Sequence, residues 1–342
     1  MFVKNAWYVT GWSHEVGRTP LERWITNEPV VLYRTEGGRA VALEDRCAHR
    51  RAPLSKGKLV GDAIQCGYHG MTFDCEGNCV RLPGQAVIPK AAKVRNYPLV
   101  ERFGWAWIWM GDPSLADPSS IPNFFWLDHP EWKPVGGTIH CESNYFLLID
   151  NLLDLSHETF LHASTIGNAA VADAASETEA GDATVRVRRR MPNCPPPPLF
   201  KKARNFSGNI DRSQVIDFTP PCYAVVDARA VPAGTNDTDN GIEWRVINAL
   251  VPEYEGTTHY FWAVSRHFAI DNRELDEIMH KAVVHTFLED IGMTEAQQKR
   301  MARPSADPKH VTIKADAAPI AARKIVSRLL HGEAAGVQTA SP

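Results

Sequence analysis

The chain has 342 residues, of which 44% are hydrophobic and 23% are charged, and its formal net charge is -3 at pH 7. These values are typical of a globular protein with about two domains, and they give no reason to expect nucleic acid or an anionic membrane as a partner. No apolar run approaches the roughly 18 residues of a transmembrane helix, and the N-terminus lacks the apolar core of a signal peptide.

The first part of the chain consists of short β-rich runs and turns. Residues 29–34 and 40–44 flank a pair of glycines and predict a β-hairpin. Residues 104–110 alternate aromatic and smaller side chains, as in a strand, and a turn-forming Gly-Asp-Pro follows. We therefore predict a small all-β unit over residues 1–112.

Two loops of this unit each supply one cysteine and one histidine: Cys47 with His49, and Cys66 with His69. Such a set indicates either a tetrahedral zinc site or a Rieske [2Fe–2S] centre, in which two cysteines bind one iron and two histidines bind the other. Zinc sites usually take two close cysteines from one segment and two close histidines from another. Because each loop here mixes the two residue types, the spacing favours the Rieske centre.

The other five cysteines have no histidine at metal-ligand spacing, and we predict that they are buried free thiols: Cys75, Cys79, Cys141, Cys194 and Cys222. The total of seven is odd, and the cysteines are spread over a long chain. Both features argue against a disulfide framework and for a reducing compartment. We therefore predict a cytoplasmic protein.

A buried helix that carries metal-binding side chains is predicted over residues 149–162. Asp154 and His157 are three residues apart and share one helix face. His157 and His162 are five residues apart and would diverge by roughly 140° around an ideal helix. If both histidines bind one ion, the helix must kink, bulge or end between them.

Two histidines and one carboxylate are the ligand set of non-haem Fe(II) sites that keep open positions for dioxygen. Polar groups of this kind are costly to bury without a partner or a metal. The alternative is a pair of core histidines that hydrogen-bond to the backbone, which is the commoner arrangement for an isolated histidine pair. The cysteine and histidine loops in the same chain make the iron site the better interpretation.

After this helix, residues 163–182 are rich in Ala, Asp, Thr and Gly and are expected to form a mobile loop. A polyproline segment is predicted at residues 194–198. Alternation and β-rich composition predict further strands at residues 138–142, 183–191, 222–226, 244–251 and 259–264.

A long helix is predicted over residues 273–301, followed by a second helix over 317–330 and a disordered tail at 333–342. The apolar stripe of the long helix recurs at every fourth position: Met279, Val283, Phe287 and Ile291. Asp290 lies on this stripe and Asp276 lies close to it. Periodicity therefore proposes both carboxylates as core-facing groups and does not choose between them.

These motifs together resemble the oxygenase components of Rieske non-haem iron oxygenases. The similarity extends over nearly the whole chain, and it is closest to the branch that includes the vanillate O-demethylase oxygenases. The segments that carry it are residues 5–9, 47–50, 53–55, 66–70, 83–85 and 150–164, the last with the spacing Asp154-x2-His157-x4-His162.

The resemblance implies an α+β fold, with an N-terminal all-β Rieske domain at residues 1–112 and a catalytic domain at 113–332. The catalytic domain is expected to be a helix-grip-like antiparallel sheet flanked by helices. The resemblance also implies that Asp290 is the third iron ligand. It implies that Asp154 hydrogen-bonds His157 and reaches a Rieske histidine of the next subunit, as carboxylates behind metal-bound histidines commonly do. A head-to-tail homotrimer follows from the same resemblance.

The activity that the resemblance implies is that of a monooxygenase with a [2Fe–2S] cluster and a mononuclear Fe(II). No dinucleotide-binding fingerprint occurs in the sequence, so the electrons are expected from NADH or NADPH through a separate flavin and iron–sulfur reductase. The expected reaction is O-demethylation of a small aromatic acid, a methoxybenzoate such as vanillate, with release of formaldehyde. Methyl-group or ring hydroxylation of another aromatic compound is the alternative. Polar substrate contacts are expected from Tyr223, Asn248 and His259.

Two other classes of protein fit parts of the sequence. A non-catalytic Rieske electron carrier would not need His157, His162 and Asp290, and it would contain two iron atoms per chain instead of three. A zinc-stabilised binding module would be colourless, whereas a Rieske protein is brown. Iron content and the absorption spectrum therefore separate the three classes.

Overall fold

A computed structural model describes residues 1–303 and 311–339 of the chain, with side chains through residue 335. The chain divides into two compact units. The first contains Met1–Asn123 together with the short segment Val251–Glu255, and the second contains the remainder from Phe124 onward. The sequence placed the boundary earlier, at residue 112, and did not anticipate that Val251–Glu255 belongs to the first unit.

The first unit is built from three small sheets of antiparallel strands, ordered β1-β10-β9, β2-β3-β4 and β5-β6-β7-β8. The hairpin predicted from residues 29–34 and 40–44 is confirmed as β3 and β4. The strands are β1 (Trp7–Trp12), β2 (Leu21–Ile25), β3 (Glu28–Arg34), β4 (Ala40–Glu44), β5 (Lys58–Val60), β6 (Ala63–Gln65), β7 (Thr72–Phe73), β8 (Cys79–Arg81), β9 (Leu99–Arg102) and β10 (Trp105–Trp109).

The second unit contains one seven-stranded antiparallel sheet, ordered β11-β17-β16-β15-β14-β13-β12. Its strands are β11 (Lys133–Cys141), β12 (Ser176–Ala180), β13 (Val185–Cys194), β14 (Ile210–Thr219), β15 (Tyr223–Pro232), β16 (Ile242–Tyr254) and β17 (Thr257–Arg266). The helices are α1 (Tyr145–Leu153), α2 (Glu158–Leu161), α3 (Ala169–Asp173), α4 (Pro198–Ala203), α5 (Arg273–Met301) and α6 (Ala317–Thr339). The predicted α+β fold class is confirmed.

Helix α5 begins and ends where the sequence predicted. The Asn272 side chain caps it by accepting a hydrogen bond from the backbone N–H of Leu275 at 3.0 Å. Its apolar stripe lies against the sheet, where the Phe287 ring stacks on Tyr260 of β17 at 5.0 Å and meets Trp262 edge-on at 5.5 Å. This packing fixes which face of α5 points toward the sheet, and therefore which carboxylate is buried.

The helix predicted over residues 149–162 is interrupted. Helix α1 ends at Leu153, and Asp154 takes an extended conformation with φ -127° and ψ 90°. A single 3₁₀ turn follows at Leu155–His157, then the one-turn helix α2, after which His162 leaves helical geometry with φ -111°. A helix end therefore lies between the two histidines, as their spacing required, and a second break precedes them.

Three other expectations need correction. The segment 163–182 was expected to be a loop, but it contains α3 and β12. Strand β14 was not predicted. The last helix continues past residue 330 to Thr339, so the predicted tail is helical up to that point, and residues 340–342 lie outside the described residues. Within the described residues, no helix is both long and apolar enough to cross a membrane.

Candidate metal centres

The first candidate centre lies on two loops of the first unit. Cys47 follows β4 and Cys66 follows β6, and both are only 2% exposed. His49 and His69 are exposed, and their ring centroids are 4.7 Å apart in an edge-to-face arrangement. The two loops therefore bring together the four residues that the sequence selected, with the thiols inside and the imidazoles at the surface.

Short backbone turns hold the two cysteines. The backbone N–H of Cys47 donates to the carbonyl of Ala52 at 2.9 Å, and that of Cys66 donates to the carbonyl of Met71 at 2.8 Å. Burial raises the pKa of the Cys47 thiol to about 11, so binding of iron must displace a proton there. One pair of sulfurs and one pair of ring nitrogens are the donors that a [2Fe–2S] cluster of the Rieske type needs.

The second candidate centre lies in the second unit, where His157, His162 and Asp290 converge. One donor atom of each residue lies within 4.8 Å of those of the other two. The Oδ1 atom of Asp290 is 3.3 Å from His157 Nε2 and 3.0 Å from His162 Nε2. Asp290 is 5% exposed and His162 is 1% exposed. The structure thus brings together the two histidines and one of the two carboxylates that helix periodicity left open.

The other candidate carboxylate, Asp276, lies elsewhere on α5. Its Oδ1 is 2.6 Å from Nη1 of the buried Arg266, and its Oδ2 is 3.8 Å from the ammonium group of Lys133. Those two cations neutralise it, so it is a structural ion pair.

The outer ring nitrogens of both histidines are held so that the inner ones face the centre. His157 Nδ1 lies 2.8 Å from the backbone carbonyl of Asp154, and His162 Nδ1 lies 2.7 Å from Oε2 of Glu289. A carbonyl and an ionised carboxylate can only accept, so each Nδ1 carries a proton, and Nε2 is the nitrogen that faces Asp290. Once Nε2 has lost any proton that it shares with Asp290, this is the tautomer that ligates a metal through Nε2.

The three inner donors repel one another unless a cation or protons lie between them. Burial would lower the pKa of both imidazoles, but contact with Asp290 outweighs burial and raises the pKa of each above its ordinary value. Burial would raise the pKa of Asp290, but hydrogen bonds with the two histidines lower it. A divalent cation satisfies all three groups at once, so the donor set fits Fe(II) and its binding displaces the shared protons.

Two residues that the sequence did not select support this centre. Asn151 on α1 donates from Nδ2 to Asp290 Oδ1 at 2.9 Å. Glu289, the neighbour of Asp290, orients His162 and is mostly buried. Sequence periodicity placed Glu289 off the buried stripe of α5, and only the position of His162 reveals its role.

We expect Glu289→Ala to weaken metal binding at this centre, because nothing then fixes the ring of His162. Losing such a carboxylate costs roughly 10- to 100-fold in metal affinity. Anaerobic titration with Co(II), followed by its visible absorption, measures the affinity directly. Glu289→Gln keeps an acceptor oxygen and should lose much less, and Glu277→Ala, at an exposed position of the same helix, is the matched control. Unchanged affinity in Glu289→Ala would remove the orienting role.

Asp154 contacts His157 in a different way from the one expected. The backbone carbonyl of Asp154 accepts the hydrogen bond from His157, while its carboxylate accepts from the backbone N–H of Ser156 at 3.0 Å and lies 3.6 Å from the guanidinium of Arg189. The break after α1 explains this, because the extended conformation of Asp154 turns its carbonyl toward the histidine. The carboxylate is therefore not needed to orient His157.

A cavity lies between α5 and the inward face of β14–β17, and the three metal-binding residues form part of its wall. It holds about 710 Å³ of empty space, which includes space open to solvent. Its lining is mostly apolar and includes the rings of Phe200, Trp244 and Phe287. The site therefore suits an apolar, ring-shaped molecule beside a metal.

The three residues proposed as substrate contacts do not line this cavity. Tyr223 and His259 lie on the opposite face of their strands, because the cavity is lined by Val226 and Ala228 of β15 and by Val264 of β17, and side chains alternate between faces. Asn248 shares the inward face, but it is fully buried, donates to the carbonyl of Ala224 at 3.0 Å and accepts from the Tyr260 hydroxyl at 2.7 Å. It is part of the core beside the cavity.

Comparison with known protein families matches almost the whole chain. A model of the Rieske [2Fe-2S] domain matches residues 6–98. A model of the vanillate O-demethylase oxygenase C-terminal domain matches residues 141–332. Each match contains the residues of one candidate centre, and the first supports the interpretation of Cys47, His49, Cys66 and His69 as cluster ligands.

Individual relatives match over their full lengths. The chain is 39% identical over 345 residues to the iron-sulfur subunit of a toluene-4-sulfonate monooxygenase system from Comamonas testosteroni, covering 98% of this chain and 99% of the relative. It is 37% identical over 343 residues to a vanillate O-demethylase oxygenase subunit from Pseudomonas sp., covering 97% and 96%. The crystal structure of dicamba monooxygenase bound to dicamba matches with a TM-score of 0.91 at 36% identity, covering 98% and 99%.

Proposed function

Because the chain belongs to the Rieske non-haem iron oxygenases, in the family that carries a vanillate O-demethylase oxygenase C-terminal domain, we propose that it demethylates a small methoxylated aromatic acid. It is the oxygenase component of a Rieske monooxygenase that acts on aromatic compounds. The proposed substrate is a methoxybenzoate such as vanillate. Its methyl group is hydroxylated to a hemiacetal, which collapses to a phenol and formaldehyde.

One observation carries this proposal: the two histidines and the carboxylate form part of the wall of a mostly apolar cavity that aromatic side chains also line. Fe(II) held by such a set supplies positions at which dioxygen is activated. Phe200 and Trp244 present aromatic surface to the ring, with their own ring centroids 4.8 Å apart. The apolar part of the wall gives water few hydrogen-bond partners near the metal, which limits side reactions of the oxidation.

The chain's own residues fix the orientation of the metal-binding side chains. Glu289 and the carbonyl of Asp154 fix the two imidazoles, and Asn151 fixes the carboxylate of Asp290. These partners come from α1, from the break after it and from α5, so the metal-binding geometry is set before substrate arrives. The protein therefore supplies orientation and a dry environment, while the metal supplies the oxidising chemistry.

The reaction consumes one O2 and two electrons and forms one water for each formaldehyde released. We propose that a flavin and iron–sulfur reductase delivers the electrons from NADH or NADPH to the Rieske cluster. We also propose a homotrimer in which the cluster of one subunit serves the iron of its neighbour through Asp154. A cytoplasmic location stays a prediction from the cysteine content. All seven cysteines are buried and none forms a disulfide.

The test is a substrate screen with the iron-loaded protein, a surrogate reductase and NADH. Vanillate and its methoxybenzoate isomers should give oxygen uptake and formaldehyde in equal molar amounts. Oxygen uptake without formaldehyde would contradict demethylation, and product analysis would then separate methyl-group hydroxylation from ring hydroxylation. Three iron atoms per chain are expected, whereas a non-catalytic carrier would hold only the two of the cluster.

A further inference from the structure

Polar side chains interrupt the apolar wall of the cavity at one place away from the metal-binding residues. Arg212 and Gln214 are two residues apart on β14 and point to the same side. Both contact Glu158, the residue that follows His157: Arg212 Nη2 donates to Oε2 at 2.7 Å, and Gln214 Nε2 donates to Oε1 at 2.6 Å. All three line the cavity and are at most 3% exposed.

Hydrogen bonds among the described residues leave one donor and one acceptor of this cluster without partners. Arg212 has five N–H groups; Nη1 donates to the carbonyl of Ile166 at 3.0 Å, and Nη2 donates to Glu158. Its Nε–H is buried without a hydrogen-bond partner among the described residues, and so is Oε1 of Gln214. Buried polar atoms without partners are costly. A ligand or an ordered water that meets them would recover that cost.

The guanidinium group is held rigidly for such a contact. It lies over the ring of Phe200, with 4.9 Å between its carbon and the ring centroid, and Phe200 also lines the cavity. Glu158 holds it in place when no ligand is present. An anchor on a strand, locked by packing and by an ion pair, loses little entropy when it binds a ligand.

One cation faces the cavity away from the metal-binding residues. Arg212 is the one lysine or arginine among the cavity-lining residues that the structure describes. Its ion pair with Glu158 uses Nη2 and leaves the Nε–H for a second acceptor. An acid group that met this N–H would form a charge-assisted hydrogen bond, which is roughly twice as strong as a neutral one.

We propose that Arg212 and Gln214 bind the acid group of the substrate and so select aromatic acids over their uncharged counterparts. This inference rests on the proposed function, and it names the donor for a carboxylate or sulfonate. The Nε–H of Arg212 meets an oxygen of the acid group, and a water between that group and Gln214 Oε1 donates to both. Arg212 and Gln214 are therefore specificity-determining residues, and their charge partner Glu158 is a positioning residue.

The test measures binding to the iron-loaded protein by anaerobic calorimetry. The probes are 4-hydroxy-3-methoxybenzoate, its uncharged analogue 4-hydroxy-3-methoxybenzyl alcohol, and toluene-4-sulfonate. Wild-type protein should prefer the benzoate over the alcohol by about tenfold or more, the effect expected for one charge-assisted hydrogen bond. The paired substitution Glu158→Gln with Arg212→Gln should reduce that preference to below about threefold while leaving the alcohol's affinity within about threefold.

Both residues are changed together because Arg212→Gln alone would leave the Glu158 charge buried and unpaired. The matched control is Asp227→Asn with Arg245→Gln. That pair is joined by a 2.7 Å contact between Arg245 Nη1 and Asp227 Oδ1 and lies on the opposite face of the sheet. It makes the same change in charge and should keep the preference for the acid. Melting temperature and the cluster spectrum confirm that each variant is folded.

Several outcomes would overturn the inference: no aromatic acid binds, the wild type does not favour the acid, or the paired substitution weakens acid and alcohol equally. Formaldehyde release separates this inference from the proposed reaction. If the paired substitution abolishes the preference for the acid but no methoxyarene yields formaldehyde, the role of Arg212 stands and demethylation is refuted. If formaldehyde forms but the wild type does not prefer the acid, demethylation stands and the role of Arg212 is refuted.

Discussion

Asp290→Asn should empty the mononuclear centre while leaving the Rieske cluster intact. Asparagine has nearly the same shape and keeps an acceptor for Asn151, but it loses the negative charge that faces His157 and His162. Iron content should fall from three atoms per chain to the two of the cluster. Turnover should fall by at least about 100-fold, since even residues behind a metal ligand contribute roughly 10- to 100-fold.

The matched control is Asp276→Asn, which changes a carboxylate of the same helix that pairs with Arg266 instead of a histidine. This variant should lose stability, because it leaves Arg266 buried without its counter-charge, yet it should keep three iron atoms per chain. Elemental analysis together with the electron paramagnetic resonance signal of the reduced cluster distinguishes the two. If Asp290→Asn retained the third iron atom, the ligand assignment would be wrong.

Asp154→Asn should leave both metal centres loaded and still abolish most turnover. The substitution keeps the backbone carbonyl that holds His157 and an oxygen that accepts from Ser156, so the iron site should be undisturbed. It removes the carboxylate that we propose links one subunit to the cluster of the next. We expect a loss of roughly 100-fold or more in turnover, the upper part of the range for residues that support a metal site.

Single-turnover kinetics give the decisive measurement for Asp154. In wild-type protein the reduced cluster should be reoxidised rapidly once substrate and O2 are present, whereas in Asp154→Asn the cluster should stay reduced. Asp150→Asn is the control, because Asp150 lies on the preceding helix and pairs with Arg323. Full activity of Asp154→Asn with normal cluster reoxidation would eliminate the electron-transfer role.

The elements that the sequence predicted well are those whose boundaries depend on local chemistry. Helix α5 has a side-chain cap at Asn272 and a regular apolar stripe, and both features are visible without any tertiary contact. The metal-binding histidines could also be predicted from the sequence, because their polarity contrasts with an otherwise apolar segment. The loops with Cys47 and Cys66 carry a spacing that few other sites share.

The cavity was not predictable in the same way. Strand β14 buries Arg212 and Gln214 on the same face as Ile210, Ile216 and Phe218. Two polar residues at inward positions break the hydrophobic alternation that identifies a strand. Their reason for being buried is Glu158, more than fifty positions earlier in the chain. A single sequence does not indicate which distant residues will share a pocket.

The residues proposed as substrate contacts lie outside the cavity lining for a related reason. Strand residues are assigned to a face only when the register and the neighbours are known, and a shift of one position moves a side chain to the other side. Tyr223 illustrates this, because its neighbour Ala224 shares the inward face with Val226 and Ala228, while Tyr223 meets Phe124, which is not among the cavity's lining residues. The break at Asp154 likewise depends on where the two histidines must meet.

Helix α5 contributes residues with three different roles to the site, since Asp290 is the proposed metal ligand, Glu289 positions His162, and Phe287 lines the cavity. Substitutions on this helix close to Asp290 would therefore disturb the metal as well as the pocket. The facing strands contribute small apolar side chains such as Val226, Ala228 and Val246, which cannot hydrogen-bond to a metal ligand. Divergence toward new substrates, whether by natural drift or in the laboratory, should accumulate on those strands and spare the helix.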